Sequence, residues 1–132
     1  MNIFLVLLMN LMGWPAFAET LVDFSDGTQL KSEDLLAQGK TLIYIEKDCA
    51  PCRIYVFDIN RCEDDIKKNI QLVSLSTPAQ TKTMARTLPK RLPLFILKDP
   101  SAAKAYTSTP TTKIKDIQKV GRLTCEELKK LL

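Results

Sequence analysis

Apolar and polar positions along the chain fall into short blocks with two alternating periods. Leu21-Val22-Asp23-Phe24 alternates and runs into Asp26-Gly27, a tight-turn dipeptide, so a strand is expected there. Ser32, with Glu33 and Asp34 behind it, reads as the capped start of a short helix through Leu35-Leu36-Ala37 that stops at Gly39. Thr41-Leu42-Ile43-Tyr44-Ile45 is a β-rich apolar run, the pattern of a buried central strand. Beyond it the period changes. Cys52, Tyr55, Val56, Ile59, Cys62 and Ile66 recur at spacings of three and four, one inward stripe of a helix, although Ile54 to Ile59 taken alone has strand propensity.

Ile70–Leu75 predicts the next strand, and Thr77-Pro78 supplies an N-cap and a first-turn proline for a helix to about Arg86. Leu92-Pro93-Leu94-Phe95-Ile96-Leu97 predicts a strongly apolar strand behind a proline. Asp99–Thr112, rich in Ser, Thr, Ala and Pro, reads as a surface excursion, and a strand is expected within Lys113–Val120, ending at Gly121. Thr124-Cys125-Glu126-Glu127 is a capping box for a final helix whose Cys125, Leu128 and Leu132 face inward. Strand, helix, strand, helix, strand, then a hairpin-like strand and helix, makes an α/β domain with a central mixed sheet flanked by helices.

Composition narrows the chemistry. The chain has 132 residues, enough for one compact domain, and no histidine. That removes Ser-His-Asp and Cys-His catalysis and every His-ligated metal site. Four scattered glycines leave no phosphate-cradling loop. The net charge of +4 is mild and no Lys/Arg run forms a stripe, so no nucleic-acid partner is expected. Met1–Ala18 carries no charged side chain. Its apolar stretch Ile3–Met12 ends at Gly13-Trp14-Pro15, and Ala16-Phe17-Ala18 is a small-x-small cleavage signature. We expect a signal peptide over 1–18 and a mature domain over 19–132, with 132 − 18 = 114 residues. The apolar stretch falls short of the ~20 residues that span a bilayer, so no membrane span is expected after cleavage. Export to the periplasm puts four cysteines in an oxidising compartment.

Cys49-Ala50-Pro51-Cys52 sits where a buried strand meets a helix. The unpaired N–H groups and partial positive charge of a first helical turn stabilise a thiolate, and Pro51 suits that turn. Cys49 then lies at the tip as nucleophile, and Cys52, three residues on and facing the sheet, as resolving thiol. A structural disulfide and half of a zinc site have the same spacing; zinc needs a second close pair, which Cys62 and Cys125 do not form in sequence. No metal and no cofactor are expected.

At these residues the chain resembles the thioredoxin family, and among its members the exported TlpA/ResA-like thioredoxins. The likeness covers nearly all of Leu21–Leu132: the Asp26-Gly27 hairpin, the Gly39-Lys40 lead-in, Cys49-Ala50-Pro51-Cys52-Arg53, and Lys119-Val120-Gly121 before the last helix. Pro93 lies 93 − 52 = 41 residues after Cys52, about the family separation between second cysteine and cis-proline. The resemblance implies a thioredoxin-like fold and an exported thiol-disulfide oxidoreductase with Cys49 and Cys52 as the catalytic, redox-active pair. It makes Leu92 and Pro93 the cis-proline substrate platform, and protein thiols or disulfides plus an unidentified redox partner the reactants. The layout slightly favours the reductive direction, with oxidase and isomerase roles open to the same fold. The chain departs from the family pattern at Asp48, where an aromatic residue is usual, at Ile43, where many members bury an acid, and at Phe57, where a helix-kinking proline is common. A non-catalytic binding module and a copper-binding thiol carrier are the alternatives.

Thr109-Pro110-Thr111 competes with Leu92-Pro93 for the cis-proline place, and the buried strand after Pro93 favours Pro93 over the polar Thr-Thr-Lys-Ile-Lys after Pro110. Cys62 and Cys125 are expected to be unpaired, because helices starting level would leave them about 13–15 Å apart at 1.5 Å per residue.

Overall fold

In the computed structural model, residues 19–132 are described; the expected signal peptide lies outside them. One seven-stranded sheet runs through the domain in the order β2-β1-β5-β4-β3-β6-β7. Its strands are β1 (Thr20–Asp23), β2 (Gln29–Lys31), β3 (Thr41–Ile45), β4 (Ile70–Ser74), β5 (Leu94–Leu97), β6 (Thr111–Ile114) and β7 (Ile117–Val120). The helices are α1 (Ser32–Ala37), α2 (Ala50–Asn60), α3 (Asp64–Lys67), α4 (Pro78–Ala85) and α5 (Cys125–Leu131), with a 3-10 helix over Pro100–Ala105.

Strands β3, β4 and β5 are parallel, and β6 runs antiparallel against β3. Every residue of β3 and β4 is buried, the polar Thr41, Gln71 and Ser74 included, as central parallel strands between two helical layers are. On one face the α2 stripe Cys52, Tyr55, Val56 and Ile59 packs on Ile43, Ile45 and Leu72, joined by Cys62 and Ile66 beyond the helix. Each large apolar side chain buried this way contributes about 1.5–3 kcal/mol. The other face holds Leu21, Leu35, Leu42, Tyr44, Val73, Phe95 and Leu97. The mixed sheet and flanking helices are those the sequence predicts.

Several local expectations are corrected. Ser32 does not cap α1: Lys31 holds the N-cap position, and the buried Ser32 Oγ accepts from the Glu19 backbone N–H at 3.3 Å. Leu132 is 39% exposed, and Leu128 is the residue α5 buries. Within Asp99–Thr112 only part is surface. Tyr106 stacks on Tyr44 with ring centroids 4.2 Å apart, and β6 begins at Thr111. Its four residues are all buried although three are polar, because each polar group is matched. Thr111 Oγ1 donates to the Ser108 carbonyl, Thr112 Oγ1 bonds the Tyr55 hydroxyl, and Lys113 Nζ donates to the Tyr106 hydroxyl.

Cys62 and Cys125 form a disulfide, against the expectation that they stay unpaired. The helices do not start level. Gly121–Thr124 is non-helical chain between β7 and α5, so α5 does not start where the strand ends. Leu123 reaches the Tyr55 hydroxyl, and Cys125 Sγ lies 4.0 Å from the Asp58 carbonyl, so α5 begins beside the last turn of α2.

Candidate active site

The tip of α2 is built by the end of β3. After Ile45 the chain turns through Glu46-Lys47-Asp48, held by the Lys47 N–H to Ser76 Oγ at 2.8 Å. Asp48 takes a left-handed conformation, φ 61°, which aspartate tolerates better than most residues. Cys49 follows as the N-cap of α2, with Pro51 in the first turn. Its sulfur takes the place of a capping oxygen: the Cys52 N–H donates to Cys49 Sγ at 3.1 Å. Cys49 and Cys52 are joined as a disulfide across the first turn, Cα to Cα 5.2 Å. Cys49 is partly exposed, while Cys52 is 2% exposed and packs on the sheet.

Register decides what faces this pair. Tyr44 pairs with Thr111, so Pro110 falls level with Ile45 at the end of β3 and Thr109 just past it, beside Cys49. The Thr109 carbonyl oxygen is 3.7 Å from Cys49 Sγ and the Thr109 hydroxyl 3.5 Å. Thr109–Pro110 is the cis peptide among the described residues. The assignment of Leu92 and Pro93 as the platform is therefore corrected. Leu94 pairs with Leu72, itself paired with Ile43, so Pro93 enters the sheet two strands from β3 and well before that strand's end. Pro93, with Lys90 and Arg91, lines a separate cavity of about 410 Å³ with Phe24 and Leu88. The family-like separation from Cys52 was misleading because β5 and the 3-10 helix lie between α4 and the proline that reaches the site.

Behind the pair, the Tyr55 hydroxyl joins three pieces: α2 that carries it, Thr112 Oγ1 at 2.7 Å on β6, and the Leu123 backbone before α5. Burial, above all, pushes its phenol up to about 12, so it stays neutral and keeps those bonds. Thr109 belongs to the Thr109-Pro110-Thr111 alternative weighed above, whereas Glu46, which also belongs to the site, carries no signal in the periodicity. Thr109 Oγ1 donates to Glu46 Oε1 at 2.7 Å. Position would have found Glu46: the residues just past the end of the central strand and just before its antiparallel neighbour must meet at one sheet end.

No family model matches the chain, and no curated protein matches it in sequence. Solved structures do match it in shape. A thioredoxin-like protein from Bacteroides caccae superposes with a TM-score of 0.65 at 13% identity, covering 86% of this chain and 46% of its own. A thio-disulfide isomerase from Thermus thermophilus gives 0.65 at 15%, covering 86% and 88%. A thiol:disulfide interchange protein from Chlorobium tepidum, of the thioredoxin family, gives 0.56 at 18%, covering 89% and 92%. The chain has a thioredoxin-like fold.

Proposed function

On this fold, we propose that the chain is an exported thiol-disulfide oxidoreductase that reduces disulfides of other proteins through Cys49 and Cys52. The observation that carries the reading is the position of Cys49: partly exposed at a helix tip, its sulfur accepting the Cys52 N–H and lying 3.7 Å from the Thr109 carbonyl. In the reduced protein the Cys49 thiolate attacks one sulfur of a client disulfide and expels the other as thiolate. Cys52 then gives up its proton and attacks Cys49 Sγ, expelling the client's second thiolate. The client gains two electrons and Cys49–Cys52 becomes a disulfide, which a separate dithiol donor must reduce. Thr109–Pro110, beside the sulfur, is the platform for an extended client segment.

Export rests on the small-x-small signature at Ala16-Phe17-Ala18, and no helix among the described residues is long and apolar enough to cross a membrane. The test is dithiol-driven reduction of insulin. The wild type should accelerate it and Cys49→Ser should abolish the acceleration. A wild type with no effect on the rate leaves a non-catalytic module as the better reading.

A further inference from the structure

We infer that Glu46 is a positioning residue that acts through the Thr109 hydroxyl and holds Cys49–Cys52 toward the reducing end of its range. The inference rests on the proposed exchange reaction and says what tunes it.

A threonine hydroxyl has one hydrogen and two lone pairs. Thr109 Oγ1 has two neighbours to serve, Glu46 Oε1 at 2.7 Å and Cys49 Sγ at 3.5 Å. The carboxylate takes the hydrogen, since a charge-assisted O–H bond at that length is the stronger of the two. The oxygen then turns lone pairs toward the sulfur. A Cys49 thiol can donate its S–H into them, whereas a thiolate meets a second electron-rich atom there and keeps only the Cys52 N–H. The Glu46 charge, two contacts from the sulfur, acts in the same sense. Both effects favour thiol over thiolate. A reduced form with a less stabilised thiolate is a stronger reductant, the converse of strong oxidants whose reduced form is stabilised.

Other charges near the sulfur are Lys47 and Asp48 in the same loop and Arg53 in the first turn of α2, exposed as Glu46 is. The facing segment Thr107–Thr112 carries none, and Lys113 is engaged with Tyr106 and Glu19. Ile43, fully buried on β3, leaves no acid on that strand to serve Cys52. Glu46 is the carboxylate with a bonded path to the site.

The experiment is a double-substitution cycle on the full-length mature protein. Two quantities are read: the pH at which the Cys49 thiolate absorbance appears, and the equilibrium of the dithiol with reduced and oxidised glutathione. Glu46→Ala should move thiolate formation to lower pH and shift the glutathione equilibrium toward the dithiol about threefold to tenfold, which is ~15–30 mV. In a Thr109→Val background the same Glu46→Ala change should produce less than half of that shift. Glu46→Gln, which keeps an acceptor but no charge, should fall between. No shift in Glu46→Ala, or an equal shift in both backgrounds, overturns the inference. Both measurements need only the two thiols, so they read out even if the wild type fails to reduce insulin; that failure would fall on the exchange reaction alone.

Discussion

At the scale of single residues, buried polar groups separate what is matched from what is not. Glu19 accepts from the Tyr44 hydroxyl at 2.6 Å and the Tyr106 hydroxyl at 2.8 Å, with Lys113 Nζ 3.8 Å away. That closed network explains how Lys113 sits in a buried strand. Thr41 is the contrast. Its Oγ1 is the buried side-chain polar atom without a partner among the described residues. An unmatched buried hydroxyl costs about 1–3 kcal/mol, and valine has nearly the same shape. Thr41→Val should therefore stabilise the domain by about 1 kcal/mol, raising its thermal midpoint by ~3–5 °C. Calorimetry of the two proteins checks this; a lower midpoint in the variant would mean that the hydroxyl is satisfied in solution. Matched partners also account for the burial of β6. Polar Thr111, Thr112 and Lys113 read as surface because their partners, Ser108, Tyr55 and Tyr106, cannot be paired with them by inspection of a string.

Among elements, α2 and its surroundings were the most legible part. The stripe from Cys52 to Ile66 is buried throughout, and strand-to-helix placement of the two cysteines followed from periodicity alone. Relative heights of elements were not legible, because they depend on connections without a pattern. The non-helical Gly121–Thr124 precedes α5, which starts beside the end of α2 and brings Cys125 to Cys62. This bond ties down a helix that buries one leucine, across a sequence separation of 63. Chain entropy for a loop of that size is about 4 kcal/mol. A Cys62→Ser, Cys125→Ser double variant should lose about that much in urea denaturation, yet keep most of its insulin-reducing rate, because neither residue lies at the tip of α2. Unchanged stability would show that the bond does not form in solution; a collapse of the rate in a folded variant would give it a redox role.

For the molecule as a whole, the fold class followed from the order of elements, while the choice between Pro93 and Pro110 needed the sheet order. Whole-molecule electrostatics yields an expectation of its own. Burial pushes the phenols of Tyr44, Tyr55 and Tyr106 up, that of Tyr55 to about 12. Between the ordinary value near 10 and these raised values, the unfolded chain loses protons that the folded one keeps, so stability falls as pH rises. Lys113 works the other way, since burial holds its ammonium below the usual lysine range and its loss of a proton relieves the fold. Three tyrosines outweigh one lysine. Tyr55 alone accounts for ~3 kcal/mol across that window. Urea denaturation from pH 9 to pH 12 should show stability declining from about pH 10; a flat profile would mean that the phenols are open to water.

The central claim is that Cys49 attacks client disulfides and Cys52 resolves the product. Its most direct measurement is covalent trapping in cells with single cysteine variants, read as reducible high-mass bands by non-reducing electrophoresis. Cys52→Ser lacks the thiol that expels the client, so complexes through Cys49 should accumulate. Cys49→Ser should trap almost none, since Cys52 is 2% exposed. Absence of bands in Cys52→Ser, or an equal yield from Cys49→Ser, would contradict the assignment of nucleophile and resolving thiol.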